Sequence, residues 1–316
     1  MIPIDARLLT DFENGLNPAV PEKSRMPPTI LGYGEISSTF MIPQMPGVAL
    51  KRMPPFDSAA SVASHKSIVD RYCRALAEKC QIRVPGYDFF DLINQSNEHI
   101  LYIAQEQLPE AGMGHFLLRR LETDGLTAML ESVLGKLVNI WRWNDNPERN
   151  LTLGLDAQIS NWHFDFVEQI GLSDPVYFDV TTPLMRIGGR EQLDPEIFLK
   201  SCPGFLVWLV RWQFLDEVLD RYYDLRQVVI DLVANFNKEG AAQRIPEALS
   251  IVNRYLSTYA QDLAVDPITE SEVQTYYKND AFIWGLFLTL RRLDRFVTTK
   301  VRRKRYNFIL PGKIQR

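Results

Sequence analysis

The sequence predicts an α+β protein: a small β-rich region, residues 30–108, precedes a larger and mainly helical region, residues 109–316. Three observations support this division. Runs rich in β-branched and aromatic residues are concentrated before Pro109. A single helical pattern lies among them, and after Pro109 almost the whole chain has helical spacing of its apolar residues. A chain of 316 residues is long enough for one large domain or for two lobes.

The β-rich region begins after an N-terminal segment, residues 1–29, which is rich in proline and which we expect to be an irregular arm. The runs "TILGYGEISSTFMI" and "GVALKRM" are separated by the turn signal "PQMPG", and they predict a hairpin. Apolar residues at helical spacing predict a helix over residues 58–80. Two further strand-like runs follow, "IRVPGYDFFDLI" and "HILYIAQEQL".

The helical region opens with a long amphipathic pattern that predicts a helix over residues 125–143. Residues 161–166 and 175–180 are two short β-like runs that we expect to pair as a hairpin. Helical spacing then extends over residues 192–300. Within it, "FLVWLVRWQFL" (205–215) is too short to span a membrane and includes Arg211, which favours a buried helix.

Composition narrows the classes of function. The net charge of −4 and the pI near 5.7 give no reason to expect nucleic-acid binding. The three cysteines, Cys73, Cys80 and Cys202, lack C-x-x-C spacing and are typical of reduced thiols in a cytoplasmic protein. The N-terminal residues have no apolar segment of the secretory type.

Two features of the β-rich region suggest contact with phosphate groups. Gly32 and Gly34 in "GYGEISSTF" permit close backbone approach to a phosphate, although a tight hairpin is the simpler explanation of these two glycines alone. Lys51 in "VALK" ends a strand and is either a solvent-facing residue or an ammonium group for nucleotide phosphates. The second function needs an acid to hold the lysine, and the 58–80 helix offers Asp70 and Glu78.

Three polar residues further along the chain suit phosphoryl transfer to a hydroxyl group. That reaction needs a carboxylate that orients the nucleophile, here Asp156, and oxygen ligands for Mg²⁺, here Asn161 and Asp179. If the two short runs pair as a hairpin, Asn161 and Asp179 lie at the same end of it. An unremarkable turn is the alternative for the stretch "GLDAQISNWHF".

Taken in order, these motifs resemble those of the protein-kinase-like fold over residues 30–185. "GYGEIS" corresponds to the glycine-rich loop, with Ser37 in place of its third glycine, and "VALK" to the lysine strand. "DAQISN" resembles the D-x-x-x-x-N catalytic loop, and "FDV" stands in the position of D-F-G. The resemblance implies a two-lobed fold, ATP and Mg²⁺ as cofactors, Asp70 rather than Glu78 as the partner of Lys51, and adenine contacts in a hinge at Gln105–Leu108 that includes Gln107.

The sequence also departs from the protein-kinase pattern. Gly154 and Leu155 replace the His-Arg pair before the catalytic aspartate, Val180 and Thr181 follow Asp179, and there is no A-P-E motif. These departures favour a phosphotransferase of the small-molecule branch (aminoglycoside and choline kinase-like) or a degenerate member of the superfamily. Three functions stay open: such an enzyme, an inactive pseudokinase that serves as a binding or scaffold module, and a protein in which the motifs coincide by chance. A separation of more than ~10 Å between Lys51 and Asp179 would favour the last, because a shared phosphate–Mg²⁺ site cannot span that distance.

Other polar features have simpler explanations or remain open. We expect His163 to be a structural residue within its strand. Arg186 and Arg190 flank "IGG", and two explanations stay open for them: they bind an anionic substrate, or they belong to a solvated loop. Asp194 is expected to cap a helix. The C-terminal tail "KVRRKRYNFILPGKIQR" is basic. It is either a solvated helix end or a contact for an anionic membrane, nucleic acid or an acidic partner, and "YNFIL" suggests docking back onto the body.

Overall fold

The computed structural model describes residues 2–34, 36–167, 171–194, 197, 219–303 and 305–310. Several sequence-based predictions lie outside these residues: the buried helix at 205–215, the reduced thiol of Cys202, the body of the helix expected after Asp194, and the end of the basic tail. The other two cysteines, Cys73 and Cys80, are buried free thiols, as expected.

Helices predominate after residue 110. We number those of the described residues α1 (Ala6–Gly15), α2 (Ala59–Cys80), α3 (Gly114–Leu117), α4 (Thr123–Asn144), α5 (Leu225–Lys238), α6 (Ile245–Tyr259) and α7 (Glu270–Phe296). Short 3-10 turns occur at Pro21–Lys23, Glu110–Gly112, Ile159–Asn161, Arg221–Tyr223, Ala242–Arg244 and Gln261–Leu263, and a π-helical turn, Val297–Val301, extends α7.

A five-stranded antiparallel sheet forms the N-terminal part of the fold. Its strands are β1 (Thr29–Tyr33), β2 (Ser38–Met41), β3 (Val48–Arg52), β4 (Tyr87–Ile93) and β5 (His99–Glu106), in the spatial order β1-β2-β3-β5-β4. The remaining strands are short: β6 (Leu151–Leu153), β7 (Trp162–His163), β8 (Phe166–Val167), β9 (Gly171–Leu172), β10 (Val176–Tyr177), β11 (Met185–Ile187) and β12 (Arg190–Glu191). The chain is therefore a mixed α+β protein with an N-terminal sheet and a helical C-terminal part, as predicted.

The run "TILGYGEISSTFMI" forms two strands rather than one. β1 and β2 pair antiparallel, and the backbone N–H of Gly34 donates to Ser37 O at 2.9 Å where the chain reverses. The sheet therefore gains a hairpin before the one predicted across "PQMPG", which joins β2 to β3. The glycine-rich stretch lies at the β1–β2 turn.

The N-terminal segment contains a packed helix, so the expectation of an irregular arm is wrong for residues 6–15. Asp5 caps α1 by accepting a hydrogen bond from Leu8 N at 2.9 Å, which satisfies a free amide of the first turn. Leu9 and Phe12 are fully buried, and the Phe12 ring lies 5.3 Å from that of Phe40 in the sheet. The apolar face of α1 thus covers one face of the sheet.

A buried ion pair joins α1 to the sheet. The Glu13 carboxylate, with no exposed surface, accepts two hydrogen bonds of 2.8 Å from Arg52 on β3 and one from the Tyr102 hydroxyl on β5. Arg52 also donates to Asn307 O at 2.8 Å, which fastens the C-terminal residues 305–310 to the same region. Tyr306, Ile309 and Leu310 are buried there, so the expected docking of "YNFIL" onto the body is confirmed.

The helical part has its own core around α4. Eight apolar residues of α4, the first Leu126 and the last Ile140, are buried against α2, α5 and α6. β7 and β10 pack beside them through Trp162 and Tyr177. α7 begins at a capping box formed by Thr269 and Glu272, and it packs along α5. Among the described residues, no helix combines the length and apolarity needed to span a bilayer.

Candidate active site

The stretch "GLDAQISNWHF" is a buried, tightly constrained loop. Leu155, Ala157 and Ile159 are at most 1% exposed and anchor it in the helical core. Its backbone is bonded on both sides, since Leu155 N donates to Tyr222 O at 3.1 Å and Tyr72 OH donates to Gly154 O at 2.9 Å. These contacts hold Asp156 in one position and distinguish the loop from an ordinary surface turn.

Glycine is required at position 154 because the chain passes close to its neighbour. A Cβ atom at Gly154 would lie 2.8 Å from Tyr222 O, inside van der Waals contact. The space beside Gly154 is occupied by Tyr222 O and the ring of Tyr223, in the turn Arg221–Tyr223.

Asn161 and Asp179 are brought together by the β7–β10 pair. Tyr177 lies opposite Trp162, and Phe178 N donates to Asn161 O at 3.1 Å. The pair is shorter than the predicted hairpin, but the two polar residues do lie at the same end. Asn161 also returns to the loop, because its Nδ2 atom donates to Asp156 O at 3.2 Å.

Lys51 reaches this same end from the sheet. Its Nζ atom donates to Phe178 O and lies 3.4 Å from Asp179 Oδ1, although 128 residues separate the two side chains in sequence. Thr181 donates to the same Asp179 oxygen at 2.9 Å, and Ser37 of the glycine-rich turn donates to Thr181 at 3.4 Å. One chain of hydrogen bonds therefore connects the β1–β2 turn, β3 and the segment after β10.

The predicted Lys51–Asp70 ion pair is not formed. The Asp70 carboxylate accepts hydrogen bonds from Tyr87 OH at 2.8 Å and from Arg74, one turn further along α2. The buried thiol of Cys73, also on α2, lies near Lys51, and burial raises the pKa of this thiol to about 12. Burial lowers the pKa of the Lys51 ammonium, and Asp179 acts in the opposite direction.

The residues expected to contact the nucleotide base and phosphates lie on or beside the sheet. Gly32 faces open space on β1, and Gln107 N donates to Gly47 O at 2.9 Å just beyond β5. Gln105 pairs with Ala49, so its side chain is on the same sheet face as that of Lys51, which pairs with Ile103. The Gln105 side chain is buried, and its Nε2 atom has no hydrogen-bond acceptor among the described residues.

Asp156 has an unusual electrostatic environment. Burial, followed by the negative charges of Asp231 and Asp179, raises the pKa of Asp156 to about 7. A carboxyl group that titrates near neutral pH is suited to accept a proton from a hydroxyl group. Asp231 is itself 5% exposed, and burial together with the charge of Asp280 raises its pKa to about 6, although Arg221 acts in the opposite direction.

Sequence analysis missed the residues of α5 that complete this site. Asp231, Asn235 and Lys238 lie on one face of α5, and Gln158 of the loop connects them. Gln158 Nε2 donates to Asp231 at 3.3 Å, and its Oε1 accepts from Asn235 at 3.3 Å and from Lys238 at 3.0 Å. The available signal was a carboxylate in the otherwise apolar run "VVIDLVA".

A cleft opens next to these residues, between the loop, α5 and α7. Two polar atoms at its wall, Asn235 Oδ1 and Tyr276 OH, are buried without hydrogen-bond partners among the described residues. The Asn235 side chain has 4% of its surface exposed. The cleft is lined by Gln158, Asp231, Ala234, Asn235, Lys238, Tyr276, Tyr277 and Asp280.

Two other predictions can be compared with the structure. His163 is 1% exposed and its Nε2 atom lies 3.1 Å from Pro109 O, which fits a structural role. Arg186 bonds to Asp220 and Glu191 and stacks on Tyr223, so its charge is already paired. Across the described ranges, no group of three or more His, Cys, Asp or Glu side chains is arranged to hold a metal ion.

A family model described as "Family of unknown function (DUF6206)" matches residues 24–295. The chain belongs to this family. The match extends from before β1 to the end of α7, and therefore includes the sheet, the loop around Asp156 and the cleft. No curated protein matches the sequence. A solved structure titled "WaaP in complex with acyl carrier protein" is similar over 79% of this chain and 88% of that chain, with 9% identity and a TM-score of 0.35, which is too low to support an argument about fold or activity.

Proposed function

We propose that this protein is an ATP- and Mg²⁺-dependent phosphotransferase with a two-lobed, protein-kinase-like fold, which acts on a hydroxyl group of a small molecule. One observation carries the proposal: Lys51 and Asp179 lie 3.4 Å apart, at the end of the β7–β10 pair that also holds Asn161. Motifs that coincide by chance have no reason to meet, and a separation above ~10 Å would have excluded a shared phosphate–Mg²⁺ site.

In this proposal the sheet of residues 29–106 is the core of the N-lobe and the helical part is the C-lobe. ATP lies against the sheet face that carries Lys51 and Gln105, opposite the face covered by α1. Lys51, Gly32, Gly34 and Ser37 contact the phosphates. The unpaired Nε2 of Gln105 and the neighbouring Gln107 contact the adenine.

The donor set at the end of the β7–β10 pair suits Mg²⁺, which prefers carboxylate and amide oxygens and completes its shell with phosphate and water. Asp179 and Asn161 would supply these oxygens, and the metal would neutralise charge on the phosphates. The oxygen of the acceptor hydroxyl would attack the terminal phosphorus of ATP, and the bond between that phosphorus and the ADP oxygen would break. Asp156 would accept the proton that the hydroxyl group loses. Asp70, which pairs with Arg74 and Tyr87, has a structural role in this assignment.

The cleft between the loop, α5 and α7 would hold the acceptor. It is lined by Gln158, two residues after Asp156 in the loop, and by Asp231, whose charge acts on Asp156. The unpaired Asn235 Oδ1 and Tyr276 OH are available for hydrogen bonds to a polar ligand. We also infer a cytoplasmic location and no nucleic-acid partner, in keeping with the free thiols of Cys73 and Cys80 and the net charge of −4.

Thermal unfolding with ATP, in the presence and absence of Mg²⁺, tests the nucleotide site. A ligand that binds only the folded protein raises the free energy of unfolding by mass action, by about 2.7 kcal/mol at a hundredfold excess over Kd. The melting temperature rises with it. We expect a Mg²⁺-dependent rise that is lost in Asp179→Asn and kept in Asp11→Asn, a control on the exposed surface of α1. No rise at millimolar ATP in the native protein would refute the proposal.

A catalytically inactive binding module is the second candidate. Two observations favour it. Lys51 forms no ion pair with an acidic side chain of α2 and donates to Phe178 O instead. Val180 and Thr181 replace the flexible end of D-F-G, and Thr181 accepts a hydrogen bond from Ser37. Release of ADP from ATP in a screen of small polyols and amino alcohols separates the candidates. Turnover that is abolished in Asp156→Ala supports the enzyme, whereas nucleotide binding without turnover across the screen supports the binding module.

A further inference from the structure

An exposed apolar stripe runs along α7. Four of its large side chains, spaced at intervals of 4, 7 and 3 residues, project from one side of the helix. Their exposed fractions are 69% for Phe282, 39% for Leu286, 42% for Leu293 and 59% for Phe296. At 1.5 Å per residue they cover about 21 Å of the surface. We call these four residues the α7 stripe.

The opposite side of α7 is the one that packs on the protein. Val273, Leu288 and Arg291 are buried and lie roughly half a turn around the helix from the α7 stripe. The stripe is therefore a second apolar face, which no described part of the chain covers. Apolar side chains that are exposed in a row, rather than singly, mark an interaction surface.

Basic residues accompany the stripe. Residues 292–303 contain five Lys or Arg and one Asp, in a chain whose net charge is −4. At the end of the stripe Lys300, Arg302 and Arg303 are exposed, together with Val301 at 68%. Lys300 follows Phe296 by four residues and Leu293 by seven, so it continues the line of the stripe. Exposed cationic groups thus lie at one end of the apolar stripe.

We propose that the α7 stripe and its basic end bind the surface of a membrane that contains anionic lipids. At the boundary of headgroups and acyl chains, apolar side chains enter the lipid while neighbouring lysines and arginines meet phosphate, so both kinds of group are satisfied. The centre of a protein–protein interface disfavours a lysine in line with its apolar residues. Nucleic acid offers phosphate to the basic end of the stripe but no apolar surface to Leu286 and Leu293. This proposal is independent of the proposed enzymatic function.

Co-sedimentation of the full chain with vesicles tests it. The probes are phosphatidylcholine vesicles and vesicles with about one third phosphatidylglycerol. We expect binding to the second kind only. Phe282→Ser with Phe296→Ser is expected to weaken binding about tenfold or more, since each phenylalanine loses its burial in lipid. Lys300→Gln with Arg303→Gln is expected to weaken it about fivefold per charge removed.

The matched control is Tyr259→Ser with Ile93→Ser, which removes two side chains of similar exposure, 59% and 56%, outside α7. It is expected to bind like the native chain. The proposal is overturned if the native chain binds neither kind of vesicle, or if the control loses binding as strongly as the stripe variant. It is also overturned by a dimer in sedimentation equilibrium that the stripe variant abolishes, because the stripe would then be a self-association surface. A melting temperature that falls in the stripe variant and not in the control would show that the stripe packs against another part of this chain. That outcome also overturns the proposal.

Discussion

Replacing Asp156 by asparagine is expected to stabilise the protein above neutral pH. In the folded state the pKa of Asp156 is raised from 3.8 to about 7 by burial and by Asp231 and Asp179. A raised carboxyl pKa means that the protonated form is favoured by folding. This contribution is complete below the unfolded-state pKa near 4 and is lost as the pH rises through about 7.

The magnitude follows from the size of the shift. Three pKa units at 1.36 kcal/mol each give on the order of 4 kcal/mol, an upper value because Asp156 and Asp231 influence each other. Asparagine does not ionise, and its Oδ1 atom can still accept the hydrogen bond from Gln158 N that Asp156 accepts at 3.2 Å. At about pH 8 we therefore expect Asp156→Asn to be more stable than the native protein by roughly 2–4 kcal/mol, and to have nearly the same stability at about pH 4.

Urea unfolding across this pH range measures the difference directly. Asp145→Asn is a suitable control, because Asp145 is exposed at the end of α4. The reasoning is refuted if the native protein and Asp156→Asn show parallel stability curves between about pH 4 and pH 8.

Two further predictions concern stability. Glu13→Gln leaves Arg52 charged and buried without its partner, so it is expected to lower the free energy of unfolding by about 3–5 kcal/mol. Glu78→Gln, on the exposed side of α2, is its control. Equal effects of the two substitutions in urea unfolding would contradict a stabilising role of the buried ion pair. Gly154→Ala places a Cβ atom 2.8 Å from Tyr222 O and is expected to lower the same free energy by about 1–3 kcal/mol. The control is Gly285→Ala in the middle of α7, where no atom lies within 4 Å of the added Cβ atom. It is expected to raise the free energy of unfolding by about 0.5–1 kcal/mol. A loss at Gly285 as large as that at Gly154 would contradict the steric argument.

Sequence analysis succeeded where one local pattern determined the outcome. The helix expected at 58–80 is α2, Ala59–Cys80, because an uninterrupted apolar stripe and a serine N-cap define it. The meeting of Asn161 with Asp179 followed from strand pairing alone, since the register of two neighbouring strands fixes which residues share an end. α1 was missed because the prolines around it outweighed a ten-residue apolar pattern that is stable only when packed on the sheet.

The errors in the site come from orientation rather than from the elements themselves. Asp70 and Cys73 are both on α2 and differ by about 60° around the helix axis. The rotation of α2 against the sheet decides which of them approaches Lys51, and no local pattern specifies that rotation. Asp231 was missed for a related reason. The sequence suggests that a carboxylate in an apolar helical run lies on the solvent-facing side of the helix, whereas in the structure Asp231 is buried with most of α5.

The concentration of carboxyl groups around Asp156 bears on the choice between an enzyme and a binding module. Asp179 and Asp231 both raise the pKa of Asp156, so the site loses stability as it ionises. Folding alone gives no reason for this arrangement, because an asparagine at position 156 would keep the Gln158 hydrogen bond without the charge. A binding module has no need of a proton acceptor there, whereas transfer to a hydroxyl group does. Asp156→Asn therefore separates the two: in an enzyme it gains stability and loses turnover while ATP still raises its melting temperature, and in a binding module it gains stability without loss of any function.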